Sequence, residues 1–270
     1  MRSSIGAIEL NYLVDGDCDL PWLIFSNSVA TDTGLWDGQI NFLKGHFRIL
    51  RYDQRGHGLS DVPVGRYTID MVADDLYSLM QSLQISRASL IGISMGGMTV
   101  LTLAKRHPEL VDKLVVCDCG PAANASSTEQ WLERIDVVSA EGMSAIVDET
   151  INRWFTEQTL KSHSPVIKRV AKMVRSTPRE GFIGSAYALS TFDLRPGLED
   201  MNVPTLFMAG QHDAALEGTR ALSNSVPGSK FAIVPSAGHL CNLENPQGFI
   251  TTLKTFLESP RQLHEIRSAN

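Results

Sequence analysis

The chain has 270 residues, 43% of them hydrophobic and 20% charged, enough to bury a large core without a disulfide or metal staple. That composition excludes collagenous, coiled-coil and disordered chains, and a formal net charge of −6 without a Lys/Arg block argues against nucleic-acid or anionic-membrane partners. Cysteines at 18, 117, 119 and 241 are too few and scattered for a disulfide framework. Cys117 and Cys119 lack zinc-pair spacing and read as small apolar residues at the end of a buried strand. No secretion signal is visible, since Glu9 interrupts the opening residues. The uncharged run Ala88 to Ala104 is broken by Gly92, Gly96 and Gly97 and is shorter than the roughly 20 residues of a membrane span. A soluble cytoplasmic protein is expected.

In chain order, the spacing places the first strand at Trp22–Phe25 and the next at Phe47–Tyr52. From Tyr67 to Leu83, Ile69, Val72, Leu76, Leu79, Met80 and Leu83 recur at helical intervals. A strand over Ala88–Ile93, a helix from Met98 to His107 ahead of Pro108, and a strand over Leu114–Cys117 follow. Strands separated by helices imply right-handed crossovers and a mainly parallel sheet. Between Pro121 and Pro196 the pattern is helical throughout, with breaks at Asn124–Thr128 and Thr177-Pro178. Alternation returns with strand Thr205–Ala209, helix Ala215–Val226, strand Lys230–Val234 and helix Pro246–Leu257. The expected organisation is therefore an α/β core (1–120 and 197–270) interrupted by a helical cap (121–196), ending in a polar, frayed tail from Ser259 to Asn270.

Gly92-Ile-Ser94-Met-Gly96 fits G-x-S-x-G, and it sits where that motif needs to be, after a strand and before a helix. A serine on so sharp a turn adopts a strained backbone, and the glycines let strand and helix pass without Cβ clashes. The N–H of Met95 then points at the site from a helix N-terminus. A serine nucleophile needs a base, and the base an orienting acid. Among seven histidines, His239 lies directly after the strand Lys230–Val234, at the carboxyl edge where open α/β sheets bind ligands. The others have plainer readings: His46 precedes a strand, His57 sits in a glycine turn, His107 ends a helix, and His212 shapes a turn, while His163 and His264 fall in helical or tail regions.

Two acids follow strands, Asp213 and Asp118. Asp213 is favoured because the order Ser94, Asp213, His239 is the nucleophile–acid–base order of α/β-hydrolases; Asp118 remains as a turn cap or second acid. Asp53 reads as holding the Arg51–Gly58 loop together through Arg55. The second oxyanion donor should come from Ser26-Asn27-Ser28-Val29, making Val29 the partner of Met95. No phosphate loop, dinucleotide fingerprint or metal-ligand array is present, so no cofactor is expected.

With these residues assembled, the chain resembles the α/β-hydrolase superfamily and, more narrowly, the 3-oxoadipate enol-lactonases. The narrower marks are Ser26-Asn-Ser-Val-Ala-Thr-Asp32 with Leu35-Trp36, Leu50 to Ser60, Gly92 to Gly97, and Arg153-Trp-Phe-Thr156. The resemblance implies Ser94 as nucleophile, Asp213 as acid, His239 as base, Val29 and Met95 as oxyanion donors, and a helical cap. It also implies opening of a small carboxylated enol-lactone in aromatic-compound catabolism. Another carboxylesterase or lactonase on the same triad, or a slow-turnover receptor, are the alternatives. Residues 121–196 hold nine basic and nine acidic residues, so the −6 falls on the rest of the chain and an anionic small molecule is tolerated. Arg134 and Arg153 are candidates for its carboxylate, and Trp154 for a further contact, although solvated arginines and a core tryptophan are equally natural there.

Overall fold

The chain opens on an antiparallel hairpin for which the spacing gives no expectation. β1 (Arg2–Ile5) pairs with β2 (Ile8–Asp15) across a turn containing Gly6 at φ 70°. Only Ile5, Leu10 and Asn11 are buried, so the alternation that marks a strand is blurred. β1 forms the sheet's outer edge, where polar side chains discourage pairing with another chain. The computed structural model describes residues 1–162 and 164–260. His163, His264 and the tail from 261 onward, with the fraying expected there, lie outside the described residues.

From Trp22 the expected elements fall near their places: β3 (Trp22–Ser26), β4 (Arg48–Tyr52), α2 (Ile69–Ser82), β5 (Ala88–Ile93), α3 (Met95–Arg106) and β6 (Val111–Cys117), while α1 (Asp37–Leu43), between β3 and β4, is a helix for which the spacing gives no expectation. Thr68 caps α2 by accepting the Met71 N–H, and Ile69, Val72, Leu76, Leu79 and Met80 form its buried face. α3 begins earlier than the expected Met98, directly after Ser94. Among the described residues, five α-helices and a 3-10 turn (Met143–Ile146) separate β6 from β7 (Thr205–Gly210): α4 (Ala125–Glu141), α5 (Val147–Trp154), α6 (Glu157–Lys161), α7 (Pro165–Ser176) and α8 (Arg179–Thr191). Asn124 and Ser127 form a capping box at the start of α4, and Thr177-Pro178 separates α7 from α8. The chain then runs through α9 (Leu216–Ser225), β8 (Lys230–Val234), α10 (Cys241–Glu244) and α11 (Pro246–Glu258).

The eight strands are ordered β1-β2-β4-β3-β5-β6-β7-β8, parallel from β4 to β8, with β2 antiparallel to β4. β5 and β7 are buried along their whole length, as expected of strands covered on both faces. β3 has β4 on one side and β5 on the other. The loops leaving β3 and β5 therefore diverge at the carboxyl edge, and a crevice opens there. Among the described residues no helix is long and apolar enough to cross a membrane.

Candidate active site

Ser94 stands at this crevice with φ 57° and ψ −122°, a strained conformation for a residue with a side chain. The two motif glycines have distinct steric reasons. A Cβ on Gly92 would lie 2.1 Å from the Gly96 carbonyl oxygen, and one on Gly96 would lie 2.1 Å from that of Ser26. The second contact presses the elbow against the loop that leaves β3. The Ser94 N–H donates to the Cys117 carbonyl at 2.8 Å. The next amide, Met95 N–H in the first turn of α3, has no hydrogen-bond acceptor among the described residues, and neither has Val29 N–H.

His239 comes from the loop after β8. Its Nδ1 lies 3.1 Å from each carboxylate oxygen of Asp213, so Nδ1 carries the proton and Nε2 is left as a base. The Asp213 turn and the His239 loop are joined directly: His212 N–H donates to the Ala237 carbonyl at 2.9 Å, and a Cβ on Gly210 would strike the Gly238 carbonyl at 2.0 Å. The inserted helices also hold this loop. His239 N–H donates to the Trp154 carbonyl at 2.9 Å, and the Trp154 indole stacks on the imidazole at 5.9 Å. Glu244 accepts from Gly238 N–H with one oxygen and from the Thr156 N–H and hydroxyl with the other, at 2.5, 2.9 and 2.8 Å.

Asp213 is the carboxylate against His239, and Asp118 stands behind it. Asp118 is fully enclosed at φ 51°; Oδ1 accepts the Gly210 N–H at 2.7 Å and Oδ2 the Cys241 thiol at 2.9 Å. Burial, and then the charge and hydrogen bonding of Asp213 beside it, push the Asp118 carboxyl well above the usual carboxylate range. Burial also raises Asp213. The charge and hydrogen bond of His239, with hydrogen bonds from Asp118 and the Ala215 N–H, outweigh it and hold Asp213 below its ordinary value. Cys117, Cys119 and Cys241 are free and buried, the first two as expected of small apolar residues.

The loop after β4 corrects one expectation. Arg55 does not pair with Asp53; its Nε and Nη2 reach Asp75 of α2 at 2.5 and 2.6 Å. Asp53 accepts instead from Thr33 N–H, Asn11 Nδ2 and Leu59 N–H at 2.7, 2.8 and 3.0 Å. Gly58 at φ 52° is packed so close to that carboxylate that a Cβ would lie 2.2 Å from it. Hydrogen bonds from backbone and amide, rather than an arginine, hold the loop.

Val29, Ser94, Trp131, Arg153, Trp154 and His239 line one cavity of about 290 Å³. Ser94 Oγ opens on it without a hydrogen-bond partner among the described residues; in unliganded sites such bonds often tighten only with substrate. Arg153 faces this cavity, stacks over Trp131 at 5.4 Å, and has no ion pair among the described residues. Arg134 is placed differently: it is buried, bonded to Glu149 at 2.7 Å and Thr150 at 2.5 Å, and does not line the cavity. Its carboxylate is already supplied by the protein, so of the two arginines only Arg153 is open to a ligand. Trp154 is 3% exposed, a core residue that also lines the cavity.

Residues 21–246 match a family model described as the alpha/beta hydrolase fold. The chain is 33% identical over 244 residues to 3-oxoadipate enol-lactonase 2 of Acinetobacter baylyi, covering 90% of each protein. Among solved structures, the enol-lactonase of Burkholderia xenovorans is 34% identical, superposes with a TM-score of 0.92, and is matched over 96% of this chain and all of that one. A thermophilic esterase from Thermogutta terrifontis, with malate bound, is 30% identical with a TM-score of 0.88, over 95% and 98% of the two chains. The sheet order, the serine elbow and these similarities agree: the chain is a hydrolase and belongs to the α/β-hydrolase family.

Proposed function

We propose that the protein opens a small carboxylated enol-lactone, of the 3-oxoadipate enol-lactone kind, by acyl transfer through Ser94. The observation that carries the carboxylate in this reading is Arg153, a cation without an ion-pair partner among the described residues, on the wall of the cavity that also holds Ser94 and His239. Residues 121–196 act as the cap over that cavity, and Trp131 supplies the flat surface under the guanidinium.

In the reaction, Ser94 Oγ attacks the ring ester carbonyl as His239 Nε2 takes its proton. Asp213 holds the Nδ1 tautomer and stabilises the imidazolium. Val29 and Met95 N–H groups receive the charge on the tetrahedral oxygen; one such donor is typically worth about 3 kcal/mol in the transition state. The ring C–O bond then breaks, His239 returns its proton to the enol oxygen, and the enol tautomerises to a ketone. Water deprotonated by His239 attacks the Ser94 ester and releases the second carboxylate. The Acinetobacter and Burkholderia relatives named above support the lactone, and the esterase with bound malate supports a small acid.

Steady-state assays of the enol-lactone beside short aryl esters and neutral lactones test the substrate. A kcat/KM for the lactone no higher than for simple esters refutes the narrow reading and leaves a general esterase. Ser94→Ala with near-normal turnover and an intact fold refutes the site.

A further inference from the structure

Val29 is followed by Ala30 at φ 55°, one of few residues with a side chain in the left-handed region. Both are buried, and the turn carrying them is fastened at either end. Asn27 donates to the Tyr52 carbonyl and accepts from Trp36 Nε1, each at 2.8 Å, and the Thr31 hydroxyl donates to the Ser28 carbonyl at 2.7 Å. The remaining tie is a side chain from another loop: Ala30 N–H donates to His57 Nε2 at 2.9 Å.

The opposite nitrogen fixes how His57 does this. Nδ1 lies 3.0 Å from the Arg55 carbonyl, which only accepts, so Nδ1 carries the proton and Nε2 presents a lone pair. The ring is 1% exposed, and burial holds its pKa down at about 4 against the weaker opposing effects of the Arg55 carbonyl and Asp32. Arg55 is in turn anchored on Asp75 of α2. A rigid path therefore runs from α2 through His57 to the backbone beside Val29.

We propose that His57 is a positioning residue for the hydrolytic site, its neutral imidazole accepting the Ala30 N–H and thereby aiming the Val29 N–H at the developing oxyanion. The inference rests on the reading of Ser94 as nucleophile and Val29 as oxyanion donor. His57 touches no reacting atom; loss of its acceptor slackens the turn, and misplacement by an ångström or so costs about 10- to 100-fold in rate.

Two polar replacements separate the two nitrogens. His57→Gln puts an amide oxygen near the place of Nε2 and keeps an acceptor for Ala30. His57→Asn keeps a donor for the Arg55 carbonyl and loses that acceptor. On a short aryl ester, His57→Asn is expected to lose about 10- to 100-fold in kcat with KM within about threefold. A trifluoromethyl ketone, whose Ser94 adduct places an oxyanion in the same hole, should bind more weakly by the same factor. His57→Gln should stay within about threefold of the parent in both measurements, and matching far-UV spectra and unfolding midpoints establish that each variant is folded. Equal losses in the two variants, a loss confined to KM, or unchanged ketone binding in a folded His57→Asn overturns the inference. Ser94→Ala run alongside separates the failures: inactivity leaves the site reading standing whatever His57 does, and retained turnover removes the site reading and this inference together.

Discussion

Arg153→Met removes the cleft's guanidinium while keeping an unbranched apolar side chain against Trp131. A charge-assisted hydrogen bond contributes about 1.5–3 kcal/mol, and a bidentate carboxylate lies toward the upper part of that range. Arg153 is solvated by the open cleft, which screens the pair and lowers the expectation to about 1.5–2 kcal/mol. Neighbouring Arg134 adds little, because Glu149 balances it at 2.7 Å. The expected loss in kcat/KM on the carboxylated enol-lactone is therefore about 10- to 30-fold. On p-nitrophenyl acetate, which has no carboxylate, it should stay within about twofold. Raising ionic strength should weaken the parent on the lactone and leave the variant nearly unaffected. Equal losses on both substrates would refute the reasoning, since they would show that Arg153 supports the fold or the triad rather than an anion.

Three other outcomes follow from the geometry. Asp118→Asn leaves a hydrogen-bonding group behind Asp213 and should hold kcat within about threefold, whereas Asp213→Asn, which presents the wrong partner to His239 Nδ1, should lose on the order of 10⁴-fold; the two kcat values measured side by side decide it. Gly96→Ala forces a Cβ to 2.1 Å from the Ser26 carbonyl and should cost about 3 kcal/mol, read from denaturant midpoints. His57 titrates at about 4 when folded and near 6.5 when unfolded, so the unfolded chain binds the extra proton first. Its contribution is complete above about pH 6.5 and is lost as pH falls toward 4, by about 3 kcal/mol in all. Denaturant midpoints between pH 7 and 4 should fall accordingly, and His57→Gln should flatten that slope.

The parts of the molecule legible in the sequence are those in which one local rule suffices. β5 and β8 end where their apolar runs end, and α2 begins at its threonine cap. The elbow could be recognised because its glycines answer a steric demand between near neighbours and one strand. What escaped depends on partners distant in the chain. The hairpin β1–β2 is a half-solvated edge with only three buried residues, too few to impose a period. Arg55 has Asp53 two positions away, yet its carboxylate comes from α2, twenty residues on, because Asp53 is already saturated by two amides of the backbone and one asparagine. Arg134 and Arg153 are alike in sequence; only the ion pair with Glu149 shows that Arg134 is occupied. His57 reads as a turn residue in the sequence because its acceptor nitrogen serves an amide 27 positions earlier.

Glu244 and Trp154 give the inserted helices a share in holding His239 that is easily overlooked. Thr156 and Gly238 hang on the same carboxylate, and the carbonyl of Trp154, the last residue of α5, holds the backbone N–H of His239. Substrate choice and turnover are therefore not separable modules in this enzyme. A chimera that imports another relative's helices to change specificity also imports, or deletes, part of the scaffold that orients the imidazole. Exchanges that carry residues 154–156 and 244 as one unit should retain rate on any ester the new pocket admits. Exchanges that split them should be slow on every substrate, however well the pocket fits.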